Sequence, residues 1–272
     1  MSLQVYEMHW NSPANQKRLK RLFEEGFSAM DIAEPLASFD AEQSAMSVRA
    51  FLEQKGFDCV GVRRNGIVCG YACRDELAEG PLDKYRCPFS PEDCVTETET
   101  LRHVIQVMAY RNRCFVKVLG EVGAIVTLSD LEKPPVRMFL FGMITIFEMM
   151  MTWGIRMSFP GQSWCGHISP GRLAKAESLF NERQRCNNRT DLLDCLQFAD
   201  RARLMLKIPR VLEILSQNGI PSKEAALKAV HELETLRNNI AHAQEIIPES
   251  WKRIIIFSTR LEMLLGETFN AS

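Results

Sequence analysis

The chain has 272 residues, 46% of them hydrophobic and 25% charged, with 33 basic against 34 acidic side chains and a net charge of -1. That length holds two domains, the apolar fraction is that of a globular protein, and the charge balance excludes a chain drawn as a whole to nucleic acid or an anionic surface. Nine cysteines are scattered without CxxC spacing, which reads as reduced, packed thiols in a cytoplasm and not as a disulfide frame.

Residues 1–10 have neither a basic start nor an apolar core, so no signal peptide is expected. Lys17, Arg18, Lys20 and Arg21 precede Leu22, Phe23 and Phe27. Residues 1–34 therefore read as an amphipathic lead-in helix with a solvated basic face.

From Pro35 the sequence repeats itself. Pro35 is answered by Pro91, Val48, Phe51 and Leu52 by Val104, Val107 and Met108, and Val60 and Val62 by Val116 and Val118, all at an offset of 56. The offset then drops to 54, so that Leu77 meets Leu131, and a longer first hairpin loop is the expected reason. Each copy reads as a lead strand, an amphipathic helix, a β-hairpin and a short helix. Asn65-Gly66 supplies the positive φ that a tight hairpin turn requires.

The second copy carries Gly123-Ala124-Ile125-Val126-Thr127-Leu128-Ser129-Asp130-Leu131. With this segment, the tandem β-α-β-β-α unit over 35–134 (copies at 35–80 and 88–134) resembles a pair of CBS domains. The resemblance implies an adenine nucleotide (ATP, ADP or AMP) as a regulatory ligand in the cleft between repeats. It assigns the phosphate to Thr127 and neighbouring backbone N–H groups, and the ribose hydroxyls to Asp130. Cys73 stands where Thr127 does and Glu76 where Asp130 does, so at most one nucleotide per pair is expected. Thr and Asp are also good N-cap residues, and capping of the following helix is the other reading of this pair.

Cys69, Cys73, Cys87 and Cys94 are a conceivable zinc set, but their spacing shows no ligand pattern and no metal is expected. Pro134-Pro135 ends the second copy. The run from Arg137 to Arg156 is long enough to span a membrane. It contains Glu148, Thr145 and Thr152, so a methionine-rich helix buried between domains or at a dimer interface is the expected form. The loop over 160–171 holds Trp164, Cys165 and His167 and reads as an ordinary loop packed by the tryptophan.

Beyond Arg172 the pattern is helical. One stripe is Leu173, Ala176, Leu179 and Phe180; a second is Leu192, Leu193 and Leu196, running toward Leu204 and Leu206; a third is Ile208, Val211, Leu212 and Leu215, ending at Asn218-Gly219. Pro221-Ser222 opens a helix whose apolar face uses Leu227, Val230, Leu233 and Ile240, and 248–266 forms a last helix. With the methionine-rich helix, this makes a bundle of about five or six helices over 135–272.

Near the end of the Pro221-Ser222 helix stands Arg237-Asn238-Asn239-Ile240-Ala241-His242. It resembles the R-x4-6-H signature of HEPN domains, helical bundles many of which are metal-independent ribonucleases. The expected fold class is thus α+β, a tandem CBS pair followed by an all-α HEPN-like bundle. The resemblance makes Arg237, Asn238 and His242 catalytic. His242 acts as acid or base on the ribose 2′-hydroxyl and leaving oxygen, Arg237 stabilises phosphate charge, and 2′,3′-cyclic phosphate ends result.

On an ideal helix Asn238 and His242 share a face, while Arg237 and His242 are separated by about 140°. A second copy across a two-fold axis completes such a site, so a homodimer is expected, with RNA as substrate and an unidentified antitoxin or defence protein as partner. Seven basic residues against three aspartates between Arg183 and Arg210 give a patch suited to an RNA backbone. The alternative is a non-catalytic adenine-nucleotide-sensing protein with a helical dimerisation module. There Arg237 is tied to Glu234 or Glu245, and His242 caps its helix.

Overall fold

The computed structural model describes residues 12–186, 190–217, 219–242 and 244. The protein is mixed α+β, with two small sheets. It divides into two compact units, one over Glu24–Arg137 and one formed by residues before and after it. The helix α1 (Pro13–Glu25) ends where the first of these begins, so the residues from 24 to 34 belong with the repeats.

The repeat unit contains β1 (Glu34–Pro35), β2 (Ser38–Asp40), α2 (Ala45–Lys55), β3 (Cys59–Arg64), β4 (Ile67–Cys73), β5 (Cys94–Thr96), α3 (Leu101–Met108), β6 (Arg113–Val118) and β7 (Glu121–Thr127). Each copy runs β-α-β-β and closes on a short 3-10 turn, Arg74–Glu76 in the first and Leu128–Glu132 in the second. In each, the lead strand lies parallel to the first hairpin strand and the hairpin is antiparallel. This order is the one that the CBS resemblance implies.

The helices form where the sequence places apolar residues three and four apart. Ala45, Val48 and Leu52 turn inward from α2 onto Val60, Val62 and Ala72 of the hairpin, all buried. Each valine or leucine among them, taken fully out of water, contributes about 1.5–3 kcal/mol. Gly56 ends α2 in the left-handed conformation at φ 69°, and the Thr100 hydroxyl starts α3 by accepting the His103 N–H at 3.3 Å.

The hairpins superpose at an offset of 54 along their whole length. Cys59 faces Cys73 as Arg113 faces Thr127, and the register slips after Val62 as it does after Val116. Both turns have two residues with positive φ, Asn65 and Gly66 in one, Leu119 and Gly120 in the other. A longer first hairpin loop is therefore not the source of the change in offset. It arises before the hairpin, where α2 has 11 residues and α3 has 8.

One segment joins the two sheets. β1 lies antiparallel to β7 of the second copy, whereas β2, three residues on, lies parallel to β3 of the first. The Leu36 N–H donates to the Gly123 carbonyl at 3.0 Å and the Gly61 N–H to the Ala37 carbonyl at 2.8 Å.

The helical unit is built on α4 (Pro134–Ser158), with α5 (Pro170–Arg185), α6 (Phe198–Met205), α7 (Pro209–Gln217) and α8 (Lys223–Ala241). By length and hydropathy α4 qualifies as a membrane span, yet 67% of its apolar window is buried inside the fold. Phe23 of α1 meets α4 at Gly142, where a Cβ would lie 2.5 Å from the ring. Only a glycine admits that approach. Trp164 is buried in a 3-10 turn between α4 and α5.

Two helical expectations change. Leu192, Leu193 and Leu196 do not start a helix that runs to Leu206: Leu192–Cys195 is a 3-10 turn, Leu196 and Gln197 are extended, and only then does α6 begin. Asp191 caps the start of that turn by accepting the Leu193 N–H, and the extended backbone at Leu196 and Gln197 separates it from α6. On α8 the buried face is Ala226, Val230, Leu233 and Leu236, one step round from the expected stripe, which leaves Leu227 and Ile240 half-buried. The helix expected over 248–266 lies outside the described residues.

Candidate functional site

A cleft of about 660 Å³ lies within the repeat unit, inside the 300–1,000 Å³ range of ligand sites. Its wall joins Lys55 and Cys59 of the first copy to Arg113, Thr127, Ser129 and Asp130 of the second. Arg113 opens β6 directly opposite Thr127, which closes β7. The strand ends thus bring a cation, two hydroxyls and a carboxylate to one place.

Thr127 and Asp130 are held together. A single oxygen of Asp130 accepts both the Thr127 N–H at 2.7 Å and the Thr127 hydroxyl at 2.9 Å, and the Thr127 and Ser129 hydroxyls are 2.9 Å apart. The pair caps the 3-10 turn that follows, which is the capping arrangement weighed against ligand binding from sequence. Asp130 is 5% exposed, and its other oxygen is 2.9 Å from the Lys133 ammonium. Lys133 also donates to the Ile32 carbonyl at 2.7 Å and pairs with Glu34. Burial works against the charge of Lys133, but Glu34 and Asp130 outweigh it and raise its pKa. Ser28 and Asp31 repeat the same cap, with the Ser28 N–H 2.6 Å from the carboxylate.

Arg113 is the cleft residue that sequence reasoning missed. Its guanidinium donates to the Cys73 sulfur at 3.4 Å, and lies 5.2 Å from the centre of the Tyr71 ring. Burial opposes its charge, but the two sulfurs raise its pKa. Burial pushes the Cys59 thiol up, and Arg113 pulls it back. The signal in the sequence was the offset of 54, which sets Arg113 where the first copy has Cys59.

In the helical unit, Arg237, Asn238 and His242 occupy the last turn and cap of α8. His242 is exposed and is the C-cap, its N–H donating to the Asn238 carbonyl at 3.0 Å. Among the described residues the carboxylate that pairs with Arg237 is not Glu234 but Glu148 of α4, at 3.0 Å, and Glu245 lies outside the described residues. Its other terminal nitrogen donates to the Asn238 side-chain oxygen at 3.1 Å, and the guanidinium sits 5.8 Å from the centre of the Phe198 ring. The second oxygen of Glu148 is 3.8 Å from Arg201.

Arg201 is 13% exposed. It donates to the Asp194 and Leu196 carbonyls, and its Nε has no acceptor among the described residues. Burial lowers its pKa despite Glu148 and Asp194. The basic patch expected over Arg183 to Arg210 is therefore not one open face. Arg201 is only 13% exposed, Arg203 pairs with buried Asp200, and Arg183 reaches the Cys195 sulfur. Among the described residues no group of three or more His, Cys, Asp or Glu gathers as a metal site.

No protein-family profile matches the chain. No curated protein matches it either. Solved structures do. An uncharacterised conserved protein from Pyrococcus horikoshii is 16% identical with a TM-score of 0.36, over 40% of this chain and 91% of its own. The CBS domain of a bacterial CNNM/CorC family Mg2+ transporter, solved in complex with ATP, is 15% identical with a TM-score of 0.36, over 44% of this chain and 94% of its own. A conserved CBS domain protein of Thermoplasma acidophilum is 15% identical with a TM-score of 0.34, over 44% and 77%.

Proposed function

We propose that the repeat unit binds one adenine nucleotide in its cleft and that occupancy regulates the activity or interactions of the helical unit. The observation that carries this reading is the meeting of Arg113, Thr127, Ser129 and Asp130 in a cavity of about 660 Å³. Arg113 and the hydroxyls suit a phosphate chain. Asp130 is engaged by Thr127 and Lys133, but a carboxylate offers about four lone-pair sites, and those left accept ribose hydroxyls. The first copy presents Cys73 and Glu76 at the matching places, so the stoichiometry is one per chain. Titration calorimetry with ATP, ADP and AMP tests this. One site should appear in the wild type and disappear in Asp130→Asn with Thr127→Val, and equal heats from the variant would overturn it.

A second reading, from the same protein, is a metal-independent endoribonuclease acting as a homodimer on RNA under nucleotide control, with an antitoxin or defence protein as possible partner. It draws support from the exposure of Asn238 and His242 beside a guanidinium whose direction is fixed by Glu148. In it His242 exchanges the proton and Arg237 stabilises the phosphate charge. The non-catalytic alternative draws on the same ion pair, which already occupies Arg237. Incubation of labelled single-stranded RNA in EDTA decides between them. Cyclic-phosphate products lost in His242→Ala support the ribonuclease, and equal inertness of both proteins leaves the sensor alone.

A further inference from the structure

We propose that Cys59 and Cys73 form a reversible cross-strand disulfide which, on forming, releases Arg113 into the cleft. The two residues are direct partners across the antiparallel pair β3 and β4. The Arg74 N–H donates to the Asp58 carbonyl at 2.9 Å, one residue outward on each strand. That bond makes Cys59 and Cys73 a non-hydrogen-bonded pair, the kind whose Cα atoms stand about 4.5 Å apart with both side chains on one face. Disulfides span Cα separations of roughly 4.4–6.8 Å, so the bond closes with little backbone movement.

The third member is Arg113, whose guanidinium donates to the Cys73 sulfur and which lines the cleft together with Cys59. The sites are related by the repeat. Where the second copy faces Arg113 with Thr127, the first faces Cys59 with Cys73, so the degraded half of the pair holds the cation of the intact half. Cys73 is the more exposed of the two thiols. Its sulfur attacks one oxygen of a peroxide; the O–O bond breaks, the departing hydroxide takes up the Cys73 proton and leaves as water, and a sulfenic acid remains. The Cys59 sulfur then displaces hydroxide, which takes up the Cys59 proton. Two electrons pass from the sulfurs to the peroxide, giving one S–S bond and two waters. The sulfurs of a disulfide accept hydrogen bonds weakly and Cys73 turns its sulfur toward Cys59 to make the bond, so Arg113 loses its sulfur partner and turns to an anion in the cleft.

The nucleotide consequence rests on the reading above; the disulfide and the release of Arg113 do not. The full chain is treated with hydrogen peroxide, digested without reduction and mapped by mass spectrometry. In parallel, the rate of phenylglyoxal modification at Arg113 and the affinity for ATP are measured before and after oxidation. A Cys59–Cys73 cross-link absent from Cys73→Ser, at least threefold faster modification of Arg113, and ATP binding about tenfold tighter are expected, the last because a hydrogen bond to a charged group gains about that factor. Unlinked Cys59 and Cys73, or a cross-link that leaves the Arg113 rate unchanged, overturns the proposal. A cross-link with faster modification, but no ATP binding in either state, upholds the device and overturns the nucleotide reading instead.

Discussion

Glu148 and Arg237 are 89 residues apart in the chain and 3.0 Å apart in space. Glu148 also faces Arg201, so one carboxylate at 25% exposure serves two guanidinium groups, and Arg237 is held at 33%. Removing the carboxylate leaves both cations without their shared partner, one of them only 13% exposed. Glu148→Ala should lower stability by about 2 kcal/mol, toward the low end for a buried pair because part of this one meets water. Urea unfolding measures it, and an unchanged midpoint shows that the pair contributes nothing.

Gly142 takes the Phe23 ring against its backbone. A methyl group at that place forces the ring or the helix aside, so Gly142→Ala should destabilise by roughly 1–3 kcal/mol. Helix propensity alone predicts the opposite, a gain of about 1 kcal/mol. The sign of the change in Tm therefore tells whether α1 sits on α4.

Leu119 holds φ at 52° while 92% exposed. A leucine there bears left-handed strain of about 1–2 kcal/mol and buries nothing in return. Leu119→Asn, which gives the second hairpin the turn residue that Asn65 gives the first, should raise stability by about 0.5–1 kcal/mol. Thermal unfolding of the two proteins side by side checks it.

Burial pushes the Cys114 thiol up to about 12. Its folded pKa lies above the unfolded value of about 8.5, so the stabilising contribution is complete below pH 8.5 and is lost as pH rises toward 12, at up to about 1.4 kcal/mol per unit. Iodoacetamide at pH 8 should label exposed Cys186 and leave Cys114 untouched in the folded protein. Labelling of Cys114 at the rate of Cys186 contradicts that burial.

Much of the repeat unit was legible because its signal is local. Two-residue turns, the spacing of Val48 and Leu52, and the run from Gly123 to Leu131 each declare themselves within a few residues. Thr127 and Asp130 could be named for the same reason. Arg113 could not, since the groups that define it come from the other copy, and Glu148 drew notice only as a charge too costly for a membrane. Its role depends on a residue 89 positions away, and no periodicity reports that distance. The 3-10 turn at Leu192–Cys195 was hidden by an apolar spacing that serves helix and tight turn alike.

The segment from Glu34 to Asp40, two residues in one sheet and three in the other, stitches the copies into a single cooperative element. The sheet of the second copy takes its β1 strand from the segment that leads into the first. A gene fragment ending after the first hairpin strips β1 of its partner, and one beginning at the second leaves the β7 edge bare for intermolecular pairing. Duplication supplied two similar halves, but the crossover removed their independence. Hydrogen exchange in both sheets should accordingly report one opening free energy, not two.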